Sequence, residues 1–347
     1  MNDSSADRSG TRLSPLLQGA VALAGVVMVI ALIIAVPLII QEETLPEGIV
    51  ILRPPSEVSA LYIGADAVWT GGADGLLLFD RATTASLPLP AGAPVFGHVR
   101  AITGTGDGGV LIAHDRGIAR YAGGVWDASP DDPPFGRALA LAAAPDGSIL
   151  AGTADGIWRH ETEAWVREAD LGAFGLQDCE VLMIDSRGWI WAGCADPTAG
   201  GILVRRDGAW ERAGAASLPH PVVRGLVEDA SGEVWAATGF ASRGGAAVFD
   251  GTTVAATYTT EDGLAGGATR TVFEDSGGRM WVASEYDGVA VLRPDGSWQY
   301  LDRGCGVAGD EVKAIVEDAD GRLWIGTDLG LTVADGFDRF PVRTVQP

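Results

Sequence analysis

Hydrophobic positions along the chain fall in strand-length runs separated by glycine and aspartate, and one arrangement recurs. An apolar residue is followed by Trp or Leu and then by two small residues, at Val68-Trp69, Val110-Leu111, Ile149-Leu150, Ile190-Trp191, Val234-Trp235, Met280-Trp281 and Leu323-Trp324. Successive copies lie 39 to 46 residues apart, and seven of them fill residues 57–343. Apolar runs of this length, bounded by turn residues, predict strands rather than helices.

The last copy, residues 312–336, resolves into strands A, B and C of a four-stranded unit. Asp318 to Gly321 supplies a tight turn between strands A and B, as do Asp185 to Gly188, Asp229 to Gly232 and Asp275 to Gly278. Glycine there takes positive φ without steric cost. Strand B carries the repeated Trp, strand C follows a glycine such as Gly156, Gly201 or Gly330, and strand D often holds a second Trp, as at Trp126, Trp165, Trp210 and Trp298. A sheet this small cannot bury both faces alone, so neighbouring units must stack. Seven stacked radially predict an all-β, seven-bladed β-propeller, with an open solenoid or a sandwich as the competing arrangements. Ring closure has two candidates for the outer strand of the seventh blade: Ile49–Leu52 and the stretch 337–342.

One segment breaks the pattern. From Gly19 to Ile40 the chain runs 22 residues without a charge, enough at helical rise to cross a bilayer core of roughly 30 Å. Arg8 and Arg12 precede it and Glu42 and Glu43 follow it, so the positive-inside rule predicts a cytoplasmic N-terminus. The expected organisation is a short cytoplasmic tail (1–15), a transmembrane signal anchor (16–40), a linker (41–56), the extracytoplasmic propeller (57–343) and a brief tail (344–347). The expected location is the cell membrane, single-pass.

Composition narrows the partners. Acidic residues outnumber basic ones 46 to 24, a net charge of −22, which repels phosphate backbones and makes nucleic acid a poor partner. Lys313 is the sole lysine beside 23 arginines, and is read as composition bias. Three cysteines and four scattered histidines offer no zinc spacing, and no phosphate loop or nucleophile elbow is present. No metal or cofactor is expected.

The Asp-x-x-Gly-x-[apolar]-Trp-x-[Gly/Ala]-Thr core, clearest as Glu-Asp-Ala-Asp-Gly-Arg-Leu-Trp-Ile-Gly-Thr at 317–327, resembles the two-component regulator propeller repeat. That resemblance is strong in the last four copies and weak in the first three, where Leu111 and Leu150 replace Trp. It implies an extracytoplasmic sensor-type propeller that binds a ligand, glycans among the classes, or a partner protein. No phosphoacceptor helix or ATP-binding region is recognisable, so a histidine kinase is expected as a separate chain; an envelope protein is the other expected partner type.

In a four-stranded blade the B–C and D–A connections share one face, and the irregular ones gather there. Length variation on a rigid scaffold is where binding residues concentrate. The candidates on that face are His114, Phe240, Arg243, Glu285, Tyr286 and Asp328, with Asp74, Asp155, Phe174, His220 and Asp287 behind them. Asp74, Asp155 and Asp287 precede glycine and read first as turn formers. The alternative to a binding module is an extracytoplasmic propeller lyase or hydrolase, since some propellers place a His acid or base near the axis; its residues would be His114 and Glu285. A structural envelope scaffold is the third reading. Cys179 and Cys194 sit symmetrically about the turn Asp185 to Gly188 and pair as a disulfide if directly opposed, but a bulge slipping the register would part them.

Overall fold

The computed structural model describes residues 45–127, 133–161, 164–214 and 216–341. The expected membrane helix lies outside these residues, and among those described no helix is long and apolar enough to cross a membrane. The described residues form seven four-stranded antiparallel sheets. Their A strands, Ala60–Ile63, Val99–Gly104, Ala140–Ala143, Cys179–Ile184, Val223–Glu228, Thr269–Glu274 and Val312–Glu317, each contact the next, and the last contacts the first. The ring is closed: this is a seven-bladed β-propeller.

Each position of the repeat has a physical task. Asp318 Oδ1 accepts the backbone N–H groups of Asp320 and Arg322 at 3.0 Å, closing the A–B turn, while Oδ2 accepts the Trp324 indole N–H at 3.2 Å. The same carboxylate-to-indole bond joins Asp185 to Trp191 (3.0 Å), Asp229 to Trp235 (2.9 Å) and Asp275 to Trp281 (2.8 Å). A large ring is thereby buried between blades with its one donor satisfied. The small residue after it lets the next blade approach: a Cβ on Gly326 would lie 2.6 Å from Val58 Cγ1, and one on Gly193 2.7 Å from Val223 Cγ1. The closing Thr ties the B–C turn, Thr327 Oγ1 donating to Gly330 O at 2.9 Å and Thr238 Oγ1 to Gly245 O at 2.8 Å.

The glutamate before that aspartate belongs to the neighbour. Glu228 accepts Ser186 N and Oγ at 2.6 and 2.7 Å, Glu274 accepts Ala230 N at 2.6 Å, and Glu317 accepts Ser276 N and Oγ at 2.6 and 2.8 Å. The A strands of the last three blades therefore end by clamping the turn of the blade before each. Between the last blade and the first, Arg322 takes over, donating to the carbonyls of Arg81 (2.6 Å) and Ala82 (2.9 Å).

The core is divided among the blade interfaces. Seven buried apolar clusters occur among the described residues, one between each adjacent pair of blades. Trp191, Trp281 and Trp324 are fully buried in them.

Both closure candidates are used, in different ways. Ile49–Leu52 pairs antiparallel with Gly330–Ala334, Ile49 opposite Ala334 and Leu52 opposite Leu331, and is the outer strand of the seventh blade. The segment read as a linker therefore contributes a strand. Phe337 and Phe340 do not extend the sheet; they follow it as a short 3₁₀ turn and pack edge-on against Trp281, at 5.6 and 6.2 Å between ring centres.

Two stability predictions follow from these ties. Asp275→Ala strands a buried indole N–H and opens a turn, and should lower unfolding free energy by about 3 kcal/mol, measured from urea midpoints. Ile49→Ala, in the clasp between chain ends, should cost about 2–4 kcal/mol in the same assay, with no loss of the folded circular-dichroism spectrum.

Candidate functional site

The A strands enter the molecule at the axis, on the face that carries the B–C and D–A connections. In five blades the pairing of strands A and B slips at the second residue of strand A. Arg100, Glu180, Arg224, Arg270 and Lys313 are skipped between flanking pairs such as Val99 with His114 and Ala101 with Ala113. The residue before each slip is buried against the preceding blade, Val99, Val223 and Val312 completely so. A β-bulge leaves its extra residue unpaired and re-aims its side chain. Here the five bulged side chains, with Glu57, Ser59, His98 and Leu139, line a cavity of about 280 Å³. Ser59 and Leu139 hold the corresponding places in the first and third blades.

Charges alternate around this cavity. Arg224 bridges Glu180 (3.4 Å) and Glu285 (3.5 Å); Arg270 bridges Glu285 (3.4 Å) and Glu311 (3.1 Å); Lys313 bridges Glu311 (3.5 Å) and Glu57 (2.9 Å). Ser59 Oγ donates to Glu57 at 2.8 Å and lies 3.5 Å from His98 Nε2, and Arg100 pairs with Asp115 at 2.8 Å. Burial works to raise the pKa of Glu57, but hydrogen bonds from Lys313 and Ser59 outweigh it and hold the carboxyl below the usual range. Burial, then the nearby Arg100 guanidinium, push His98 down, which keeps its imidazole neutral at neutral pH. Among the described residues, Arg100 Nε and Glu285 Oε2 are buried without a hydrogen-bond partner.

Of the candidates read from sequence, Glu285 reaches this site, held between two arginines. Tyr286 beside it is exposed and lines a separate surface pocket with Asp287, Arg303 and Asp310. Phe240 and Arg243 face each other across the B–C hairpin of the fifth blade, with Ala241 and Ser242 both at positive φ. His220 lies 6.5 Å from the Phe240 ring, and burial together with Arg243 and Arg224 lowers its pKa. Asp328 Oδ1 is buried and unpartnered among the described residues, against the loop that carries Gly309.

His114 is not at the channel. It is buried edge-on against Phe96, 5.0 Å between ring centres, and its Nδ1 accepts Arg116 N at 3.4 Å. It does in its blade what Thr327 and Thr238 do in theirs, securing the B–C turn, and among the described residues no hydrogen bond or ion pair joins it to Glu285. Asp155 accepts Thr153 Oγ1 (3.1 Å) and Asp287 accepts Ser284 Oγ (3.1 Å) as turn ties, whereas Asp74 accepts Ser56 N and Oγ (2.5 and 2.7 Å) and so fastens the segment before the first blade to its B–C turn. Phe174 sits in a 3₁₀ turn, its carbonyl accepting Arg212 Nη1 at 3.1 Å.

Cys179 and Cys194 are directly opposed despite the bulge at Glu180. Both are fully buried thiols with no disulfide between them, and Cys305 is fully buried as well. The Cys194 thiol hydrogen-bonded to Cys179, together with burial, pushes the Cys179 pKa well above the ordinary thiol value.

The axial residues Glu57, His98, Arg100, Glu180, Arg224, Arg270, Glu311 and Lys313 were absent from the sequence candidates. A signal for them existed: when the seven copies are superposed on their A strands, the second position reads Ser59, Arg100, Leu139, Glu180, Arg224, Arg270 and Lys313. Charge at the innermost position of a barrel-like ring is unexpected unless it faces a channel, and the lone lysine is one of the set.

Comparison with known proteins agrees with the fold. Residues 306–328 match the model of the two component regulator propeller family, so the chain carries that repeat. The extracellular domain of a protein described as a hybrid two component system of B. thetaiotaomicron is similar over 83% of this chain, at 16% identity and a TM-score of 0.67; the chain spans 42% of that domain's length. Virginiamycin B lyase from Staphylococcus aureus is similar over 82% of this chain and 97% of its own, at 13% identity and a TM-score of 0.61. PorZ, described as a surface component of the type-IX secretion system of Porphyromonas gingivalis, is similar over 81% of this chain and 46% of its own, at 14% identity and a TM-score of 0.60. No curated protein sequence matches. At these identities the likeness is one of fold.

The buried thiols give a direct check on the hairpin. Iodoacetamide at neutral pH should modify none of the three cysteines in the folded, reduced protein and all three in urea, read by mass spectrometry; rapid labelling of Cys179 or Cys194 in the folded state would contradict the packing described.

Proposed function

We propose that this chain is an extracytoplasmic binding propeller, moored to the cell membrane through residues 16–40, which takes a small ligand at the mouth of its axial channel and reports occupancy to a separate partner, a histidine kinase or another envelope protein. The observation that carries the reading is the bulge repeated in five of seven blades at the same position, which turns the innermost strands into a ring of inward charged side chains. Such a ring costs pairing and desolvation, and stability alone would be served by apolar residues there. The family repeat, together with the long uncharged segment preceded by Arg8 and Arg12, supports placement outside the membrane.

Binding without turnover is favoured by the way the lining groups are committed. Glu285, the carboxylate offered for acid-base work, is held by two arginines, and Glu57 is kept ionised by Lys313 and Ser59. A general acid or base needs a proton to exchange near the working pH.

Two measurements test this. Protease added to intact cells should digest the propeller and spare an N-terminal tag, whereas protection of the whole chain would refute the topology. Isothermal titration of the full chain against acidic and neutral sugars and organic acids should give saturable heat with at least one compound and no continuing heat of reaction. Failure with every compound, together with no partner co-purifying from membranes, would reduce the chain to a scaffold.

A further inference from the structure

The four cations of the cavity are not spread evenly. Arg224, Arg270 and Lys313 come from three consecutive blades, the first blade adds the Ser59 hydroxyl, and the second adds Arg100. The remaining lining is His98, Leu139 of the third blade, Glu180 of the fourth, and Glu57, which pairs with Lys313. A cationic arc, capped at Lys313 by Glu57, thus faces a wall that is apolar at one blade and acidic at the next, inside a chain whose net charge is −22.

The arc is also incompletely paired. A fully formed hydrogen bond from a guanidinium or ammonium to a carboxylate spans about 2.7–2.9 Å. Arg224 meets its two carboxylates at 3.4 and 3.5 Å, and Arg270 meets its two at 3.4 and 3.1 Å. Among the described residues, Arg224 Nη2 and Arg270 Nε and Nη2 make no hydrogen bond. The side chains of Arg224, Arg270 and Lys313 are only 17, 24 and 11% exposed, and all three line the cavity. Neighbouring guanidiniums with spare N–H donors, on one nitrogen of Arg224 and two of Arg270, suit one planar two-oxygen acceptor.

We infer that this arc seats the carboxylate of a small organic acid, with Arg224 and Arg270 as its bidentate partners, Lys313 as the adjacent point charge, and the body of the molecule lying toward Ser59 and Leu139. The inference rests on the binding-module reading above and names the ligand class for the same site. A cavity of about 280 Å³ is at the small end of ligand pockets, which run from roughly 300 Å³ upward, and limits the occupant to about monosaccharide size. Sugar acids and simple dicarboxylates share the recognised group, so the experiment separates them.

The experiment is isothermal titration of the full chain with D-glucuronate, succinate and D-glucose at about 0.1 M salt, where long-range repulsion from the acidic surface is screened beyond about 10 Å. D-glucuronate or succinate should bind at least tenfold more tightly than D-glucose, and whichever of the two binds better identifies the ligand as sugar acid or simple acid. Arg270→Gln and Arg224→Gln should each weaken that binding at least tenfold with the thermal midpoint within a few degrees of the parent, while Arg206→Gln, outside the cavity, should leave it unchanged. If neither acid binds the parent protein, or if both arginine variants bind as the parent does, the carboxylate seat is wrong. D-glucose binding as tightly as D-glucuronate would also overturn it, yet would leave the binding-module reading standing. The comparison of the three ligands on the parent protein needs no variant to fold.

Discussion

A single carboxylate in the A–B turn of each of the last four blades closes that turn through backbone N–H groups and receives the indole N–H of the tryptophan six residues on. The rest of the propeller depends on this tie. Tryptophan is the largest body available to fill the wedge between two twisted sheets, but its N–H must be satisfied when buried. Supplying the partner from the same hairpin makes each blade self-sufficient before it meets a neighbour. The preceding glutamate then reaches back to the previous turn, so the sequence pair Glu-Asp encodes one intra-blade and one inter-blade bond side by side. In the second and third blades Leu111 and Leu150 fill the wedge without a polar atom, and Asp107 and Asp146 close their turns and pair with Arg120 and Arg159 in place of an indole.

That division of labour between faces locates the site. The ties and clamps occupy the end of the ring where A–B turns lie, which leaves the other end to the starts of the A strands. There the radial packing is tightest, because the first residue of each A strand must press against a glycine or alanine of the blade before it. A bulge immediately afterwards is how the strand recovers its pairing, and it delivers one side chain per blade to the axis. In five of the seven blades the same bulge thus aims one side chain at the axis, and the residue at that position gives the ring its chemistry.

Periodicity made most of the architecture legible: seven copies, four strands each, turns at Asp-x-x-Gly, tryptophans between sheets. These are local patterns, and local patterns survive in sequence. The registers were less accessible. Cys179 and Cys194 are opposed because the bulge falls between Cys179 and Val181, a shift that residue counting left open. His114 stands at the end of strand B, where the slot alone suggests the channel mouth, but position along a strand does not say which way a side chain points, and here the ring packs against Phe96. Lys313, one lysine beside 23 arginines, reads as composition bias in isolation, and only superposing the copies shows it with its six counterparts as one ring. The closure was half readable: Ile49–Leu52 has strand character, whereas the packing of Phe337 and Phe340 onto Trp281 depends on which face of the seventh blade remains open.

The charge distribution then takes on a different sense from the one composition suggests. An excess of 22 negative charges describes the exterior, and it acts over a Debye length of about 8–10 Å at physiological salt. Beyond that distance the surface discourages polyanions, and a nucleic-acid backbone is in any case too large for the axial cavity. Within it, the relevant charges are those facing the lumen, where four cations stand against Glu57 and Glu180. A small acid that crosses the exterior field arrives where its carboxylate adds short ion pairs to long ones, and where Glu285 and Glu311 remain as lateral supports keeping the arginines in place. The acidic shell and the cationic arc thus work in the same direction: the shell rejects large anions on charge and size, and the arc favours a small carboxylate over a small neutral molecule through the charge of its arginines and lysine.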